Sequence, residues 1–245
     1  MNEPVNFALV IPLANEAKEL QLLVDAVTVT LDKLGSGTVY LIVDTVSKDN
    51  TLALCRSLSE KDSRFITVYE PLNRNVVDAY VRGYSEAYTG GHEFIIEMDA
   101  GLSHDPAALP LFLDAYLAGL ECVFGSRFIK GGSMNDSSIK RKFLSLTGTV
   151  LSNVLLGTKL QDMTSGYQGF KRNIVKQILD HGLLSKAHFY QTEVRYLLRN
   201  KSYREIPIHY RAPSPSVSQS AIKDSVKLLF YYFFKRISFR ADIIP

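Results

Sequence analysis

The chain has 245 residues, 46% hydrophobic and 22% charged, the composition of a globular protein with a full core: one α/β domain, or one with an appendage. Its net charge of +3 is too small to argue for nucleic acid as a partner. Cys55 and Cys122 lie far apart without metal-ligand spacing and read as buried free thiols, which fits a reducing compartment. The start, M-N-E-P-V-N, lacks the features of a secretory signal, and the longest apolar run near the end, Leu228 to Phe234, is too short to span a bilayer.

Phe7 to Pro12 reads as a buried strand stopped by its proline. Asn15-Glu16 opens a helix with Leu20, Leu23, Val24, Val27 and Leu31 at helical spacing, broken by Gly35 and Gly37. Val39 to Val43 is a second strand ending in Asp44, and the turn Thr45 to Thr51 leads into a helix through Leu58. Phe65 to Tyr69 is a third strand, Asn73 to Tyr88 a helix, and Phe94 to Ile96 a central strand with Glu97 and Asp99 at its carboxyl end. Asp105-Pro106 reads as an N-cap with proline at the first helical position, ahead of a helix through Leu117. Glu121 to Phe124 follows as a strand. This alternation predicts a mostly parallel sheet covered by helices on both faces. Asp44 and Asp99 then face the same edge, where α/β folds bind nucleotides. No glycine-rich phosphate loop follows the first strand, which argues against a hydride-transfer enzyme and against an ATPase.

Phosphate ligands are offered by the second half. Arg127 ends the fifth strand in G-S-R, and Arg141 lies at the start of a long helix with Leu144, Leu151 and Leu155 on one side. Asp162 to Tyr167 is a polar turn, Phe189 to Glu193 starts a helix, and Tyr203 to Tyr210 is a further strand closed by Arg211.

Five segments then fall in order. V-I-P-L-A-N-E (10–16), V-D-T-V-S-K-D-N-T (43–51), E-M-D-A-G-L-S-H-D-P (97–106), G-S-R-F-I-K-G-G (125–132) and D-M-T-S-G-Y (162–167) resemble the motifs of family 2 glycosyltransferases, in the dolichol-phosphate mannosyltransferase-like, polyprenyl-phosphate branch. The resemblance runs from Phe7 to about Arg211. It implies a GT-A (Rossmann-like) fold, a nucleotide-diphosphate sugar donor (GDP-mannose or UDP-hexose), a divalent metal (Mg²⁺ or Mn²⁺), a polyprenyl phosphate acceptor and inversion at the anomeric carbon. It places Pro12, Asn15 and Glu16 along the nucleoside and Asp44 on the base. Asp99, with Ala100, falls at the diphosphate and the metal. Arg127, helped by Arg141 or Arg211, falls at the acceptor phosphate, with Thr164 and Ser165 lining that side. Asp99 and Arg127 are thus the implied catalytic pair. An acceptor phosphate is already an anion, so no general base is required.

The chain departs from the motifs at Thr45 and Gly101, each in place of an aspartate, at Asn50 in place of a glycine, at Gln168 in place of an arginine, and at N-V-V-D-A-Y (75–80) in place of a glycine-rich helix start. Gly101 weakens the expected metal site, where Glu97 or His104 would have to assist Asp99. These departures keep two alternatives in view: transfer to a soluble acceptor, and a catalytically weak relative that binds nucleotide sugar or lipid phosphate.

Residues 1–212 are expected to form the catalytic domain and 213–245 an amphipathic appendage. From Ser218 to Arg240 the chain carries Lys223, Lys227, Lys235, Arg236 and Arg240 against one acid, Asp224. Ile222, Val226, Leu229, Phe230, Phe233 and Ile237 recur at helical spacing, with Tyr231 and Tyr232 as interfacial aromatics. This pattern suits a helix lying on an anionic membrane surface, the competing reading being a helix packed on the domain or in a homodimer. The expected location is cytoplasmic, or peripheral on the cytoplasmic face of a membrane.

Overall fold

The computed structural model describes residues 5–135, 137–211, 219–240 and 242–244. The expected domain boundary at 212/213, and Ser218, lie outside them. Seven strands, β1 (Phe7–Leu13), β2 (Thr38–Val43), β3 (Phe65–Tyr69), β4 (Phe94–Glu97), β5 (Cys122–Ser126), β6 (Gln168–Lys171) and β7 (Tyr203–Pro207), form one sheet in the order β3-β2-β1-β4-β6-β5-β7. Every pairing is parallel except those of β6, which runs antiparallel to both β4 and β5. Gly169 allows that insertion, because a Cβ there would lie 2.7 Å from the Phe94 ring.

The pleat sorts the core into two layers. Phe7, Leu9 and Ile11 of β1 point to one face, where they meet α1 (Leu20–Leu34), α2 (Thr51–Lys61) and α4 (Leu109–Leu117). Ala8 and Val10 point to the other, toward α3 (Val76–Thr89), α6 (Arg172–His181) and α7 (Tyr190–Leu197). Two long helices, α5 (Ile139–Leu156) and α8 (Gln219–Ile237), complete that second side: Leu156, Leu229 and Tyr232 belong to the same buried cluster. Asn75 caps α3 by accepting from Val77 and Asp78 N–H, and Gly35 ends α1 in the left-handed conformation at φ 68°. Asp105 caps a 3₁₀ turn, Pro106–Ala108, that leads into α4. Both cysteines are buried and unpaired.

Two expectations are corrected, at Pro12 and at the packed face of α8. Pro12 does not stop β1, which continues to Leu13. Beyond Val10 it has left β4 and pairs with β2, so the ring displaces no ladder bond on the β4 side. The strand–helix alternation expected up to Phe124 holds through β5, and the one antiparallel strand, β6, comes after it. Leu144 and Leu151 of α5 are about half exposed, and α5 leans on the domain through Thr149, Ser152 and Leu156. In α8 the packed face is Ala221, Leu229 and Tyr232, whereas Ile222, Val226, Phe230 and Ile237 of the expected apolar stripe remain exposed. The competing reading of α8, a helix packed on the domain, thus holds for one face. The other face stays uncovered beside the exposed Phe143, Val150 and Val154 of α5. No helix among the described residues is long and apolar enough to cross a membrane.

Candidate active site

The carboxyl ends of β1, β2 and β4 open onto a rim of loops. Asn15 takes φ 60°, a left-handed conformation that asparagine tolerates. Its Oδ1 accepts from Lys48 N–H (2.8 Å), its Nδ2 donates to Val46 O (3.2 Å), and its backbone N–H donates to Ser47 Oγ (2.9 Å). Glu16 N–H donates to Thr51 Oγ1 (2.9 Å), and Ala17 N–H to Asp49 Oδ2 (3.0 Å). Asp49, which the sequence reading passed over, therefore ties the two loops together; the Thr51 hydroxyl and backbone N–H bonds hold its pKa low. Asp44 is buried and accepts from Val46 N–H (2.9 Å). Asn15 and Asp44 thus shape the rim as well as lining it. Burial and the nearby Glu19, Asp49 and Asp99 raise the pKa of Glu16.

Asp99 follows β4 on the α3 side. Tyr80 of α3 donates to its Oδ1 at 2.6 Å, and its backbone N–H donates to His104 Nδ1 at 3.3 Å. His104 is buried, stacked on Tyr167 (5.1 Å between centroids), and its pKa is lowered by burial. The Asp99 hydrogen bond makes Nδ1 the acceptor, so the neutral ring carries its proton on Nε2. Glu97, two residues earlier on the same side of the pleat, points into the core. Tyr84, Tyr190 (3.0 Å) and Gln168 Nε2 (2.6 Å) all donate to it, and burial pushes its pKa up to about 8. The expectation that Glu97 assists at a metal is corrected: its carboxyl has no exposure and is taken up by three donors. Gln168 occupies the departure position as one of those donors.

Arg127 leaves β5 and is buried against Asp162, with Nε to Oδ2 at 2.7 Å and Nη2 to Oδ1 at 2.8 Å. Nη2 also donates to Thr164 Oγ1 (2.6 Å). Burial opposes the Arg127 charge, but Asp162 outweighs it and its pKa is raised. Burial alone would lift Asp162; Arg127 and Arg195 overcome it and hold the pKa at about 2. Arg195 of α7 is fully buried, donates to Asp162 O and lies over the Phe124 ring. The fork expected on a ligand phosphate is thus largely spent on Asp162, leaving Nη1 without a hydrogen bond among the described residues. Arg141 reaches Tyr210 OH (3.2 Å).

These groups meet at a cavity of about 280 Å³. Asp99, His104, Arg127, Arg141, Thr164 and Gln191 supply its polar wall; Leu144, Leu151, Phe189, Ile222, Val226 and Leu229 supply its apolar one, between α5 and α8. Gly166 brings the Asp162–Tyr167 turn close: a Cβ there would lie 3.3 Å from Asp99 Oδ1 and 2.5 Å from the Gln191 amide. Two expected acceptor residues do not line it. Ser165 is buried, its Oγ accepting from Tyr167 N–H, and Arg211 is turned outward into an ion pair with Asp105. Pro12, Asn15, Glu16, Asp44 and Ala100 also lie outside the cavity lining, toward the loop rim and β4 end. Tyr80, Asp162 and Gln191 were missed as site residues. Asp162 stood in a quoted motif, whereas Tyr80 gave no signal beyond helical spacing.

No group of three or more His, Cys, Asp or Glu side chains among the described residues could hold an ion. An all-protein cage therefore does not fit, but an ion shared with a diphosphate does. Such ions keep several waters and need one or two carboxylates besides the phosphates, and the Asp99 side chain is 36% exposed.

Residues 8–179 match the model of Glycosyl transferase family 2. A polyprenol monophosphomannose synthase of Mycolicibacterium smegmatis is 30% identical over 213 residues, covering 86% of this chain and 79% of that protein. An undecaprenyl-phosphate mannosyltransferase of Micrococcus luteus is 28% identical over 206 residues, covering 82% of each. Among solved structures, glucosyl-3-phosphoglycerate synthase of Mycobacterium tuberculosis with uridine diphosphate superposes at TM-score 0.66 and 13% identity, over 96% of this chain and 80% of that one. The same synthase with Mn²⁺, uridine diphosphate and phosphoglyceric acid gives 0.64 and 15%, over 98% and 79%. The fold is of the GT-A type. With the family model spanning most of the chain and a 30%-identical relative matched over most of its length, the chain belongs to glycosyl transferase family 2 and is a glycosyltransferase.

Proposed function

We propose that this protein moves a sugar from a nucleotide-diphosphate sugar, GDP-mannose or a UDP-hexose, to a polyprenyl phosphate, with inversion, on the cytoplasmic face of a membrane to which it attaches peripherally. The observation that carries the reading is the cavity itself. One wall presents Arg127, Arg141 and Thr164 to an anion, and the other is apolar and runs between two helices whose outer faces are also apolar. A phosphate on a hydrocarbon chain matches both walls; a small soluble acceptor matches one. The names of the two curated relatives point the same way.

In this reading Pro12, Asn15, Glu16 and Asp44 border the nucleoside, and Asp99 with Ala100 borders the diphosphate. A divalent ion, when bound, neutralises the charge that develops on the departing diphosphate. Asp99 is its protein ligand, and Gly101 in place of a carboxylate weakens the site. An acceptor phosphate oxygen attacks the anomeric carbon from the face opposite the leaving group. The bond to the diphosphate breaks, and its electron pair leaves with the nucleoside diphosphate. The nucleophile is already ionised, so no side chain takes a proton, consistent with a neutral His104. Arg127, held rigid by Asp162, and Arg141 fix the phosphate, so the protein contributes orientation and prearranged charge.

Labelled GDP-mannose, UDP-glucose and related donors, offered with polyprenyl phosphate and Mn²⁺, test the reading. Label passing into the lipid phase with one donor is the expected result, and Arg127→Ala should abolish that transfer while nucleotide affinity stays within a few-fold. Transfer to a soluble phosphate ester but not to the lipid would overturn the acceptor assignment. Nucleotide binding without transfer to any acceptor would favour the catalytically weak relative.

A further inference from the structure

Asp99 is held from behind. The Tyr80 phenol sits at 2.6 Å from Oδ1, and the tyrosine is 2% exposed, so water does not compete for the bond. Its ring is fixed in turn: it stacks on Tyr190 at 5.0 Å between centroids and 29° between planes, and Tyr190 is anchored through its own hydroxyl to Glu97. Tyr84, one turn further along α3, donates to the same Glu97 carboxyl. Two turns of α3, the first turn of α7 and the end of β4 are thereby locked into one buried unit whose exposed tip is the Asp99 carboxylate. The other oxygen, Oδ2, is 3.8 Å from His104 Nδ1, beyond hydrogen-bond reach, and a Cβ built at Gly101 meets no heavy atom within 4 Å, so a side chain at 101 would have open space.

We propose that Tyr80 is a positioning residue for Asp99: its buried hydroxyl holds the carboxylate in the orientation that binds a divalent ion together with a nucleoside diphosphate, the alignment that a second carboxylate at position 101 would otherwise share. The inference rests on Asp99 being the ion's ligand in the proposed function. Hydrogen-bond partners behind a metal ligand typically control about 10–100-fold in metal affinity or activity. A site with one protein carboxylate depends on that alignment more than a site with two.

The test is direct binding of Mn²⁺ to the full chain in the presence of GDP or UDP, read from the paramagnetic resonance of the free ion and therefore independent of turnover. Tyr80→Phe keeps the ring and its stack and removes the hydroxyl, and should weaken Mn²⁺ binding about tenfold. Tyr40→Phe is the matched control. It deletes a buried phenol that bonds His92 at 3.1 Å, remote from Asp99, and should leave Mn²⁺ affinity within about twofold. In a Gly101→Asp background the penalty of Tyr80→Phe should shrink below about threefold, since a second carboxylate shares the alignment. Unchanged affinity in Tyr80→Phe, an equal loss in Tyr40→Phe, or an undiminished loss in the Gly101→Asp background would each overturn the role of Tyr80. Asp99→Asn separates this failure from failure of the underlying reading. If that variant binds Mn²⁺ as wild type does, or wild type binds none with either nucleotide, the assignment of Asp99 falls and takes the inference with it.

Discussion

The two halves of the sheet solve the same problem by different means. On the side of β3, β2 and β1 the strands run parallel, and the rim loops are tied by backbone N–H groups that donate to the side chains of Asn15, Asp44, Asp49 and Thr51. On the side of β6, β5 and β7 the order is broken by an antiparallel strand. There the turn beside the cavity is held by a buried charge cluster, with Asp162 between Arg127 and Arg195. The first half is held by many bonds to backbone N–H groups at an exposed or half-buried rim. The second half depends on a few buried charged contacts of high individual consequence, and it carries the exposed apolar faces of α5 and α8. In the proposed function the first half borders the nucleotide and the second half the acceptor.

That contrast can be broken in order of expected effect. Asp162→Ala strips the carboxylate from buried Arg127 and the neighbouring negative charge from buried Arg195, whose bond to the residue 162 carbonyl remains, and should cost about 3–5 kcal/mol in urea unfolding. The same carboxyl, held at about 2 against its ordinary 3.8, contributes stability above roughly pH 4 that is lost as pH falls toward 2. Unfolding curves of wild type and Asp162→Asn should therefore converge across that acid window. Next, Phe143→Ser with Phe234→Ser removes two exposed rings, 70% and 59% accessible, and should weaken sedimentation with anionic liposomes at least about tenfold without moving the melting temperature. Unchanged sedimentation would remove the functional half of the comparison. Asn15→Ala forces a left-handed conformation on alanine at about 1–2 kcal/mol and loosens the rim, so the donor KM should rise several-fold with acceptor KM unmoved. Smallest, Tyr232→Phe deletes the 2.5 Å bond from α8 to buried Glu193 and should cost about 1 kcal/mol, measured by thermal melting.

What was legible follows the same division. β1 to β5 and the helices between them were readable because each is a continuous apolar run or a clean helical period, set by local sequence. β6 was not. Gln168 to Lys171 is four residues, Q-G-F-K, with no alternation, and its place between β4 and β5 is decided by two partners that both lie more than 40 residues earlier in the chain. Arg127 was found because arginine at a strand end is a local signal, but its engagement by Asp162 is a contact across 35 positions. Glu97 misled because the sequence shows a charge without its direction: Tyr84 of α3, Tyr190 of α7 and Gln168 of β6 are the three donors that let it face inward. In α8, Leu229 and Tyr232 were read as surface residues and are buried, for a related reason. Periodicity ranks residues by hydropathy, whereas packing chose Ala221 and Tyr232 for fit and for a hydrogen bond to Glu193.

The gap between α5 and α8 has a thermodynamic consequence for the proposed acceptor. Lifting a prenyl chain out of a bilayer into water would cost about 0.8 kcal/mol per methylene-sized group, several kcal/mol for each five-carbon unit. A cavity whose apolar wall is continuous with two apolar outer faces removes that barrier, because the chain exchanges one hydrocarbon environment for another and only the phosphate is transferred to the polar wall. Chain length beyond the first few units should then have little influence on acceptor KM. Encounter becomes diffusion in a plane, with a rate that scales with the surface density of acceptor in the vesicle and not with its bulk concentration.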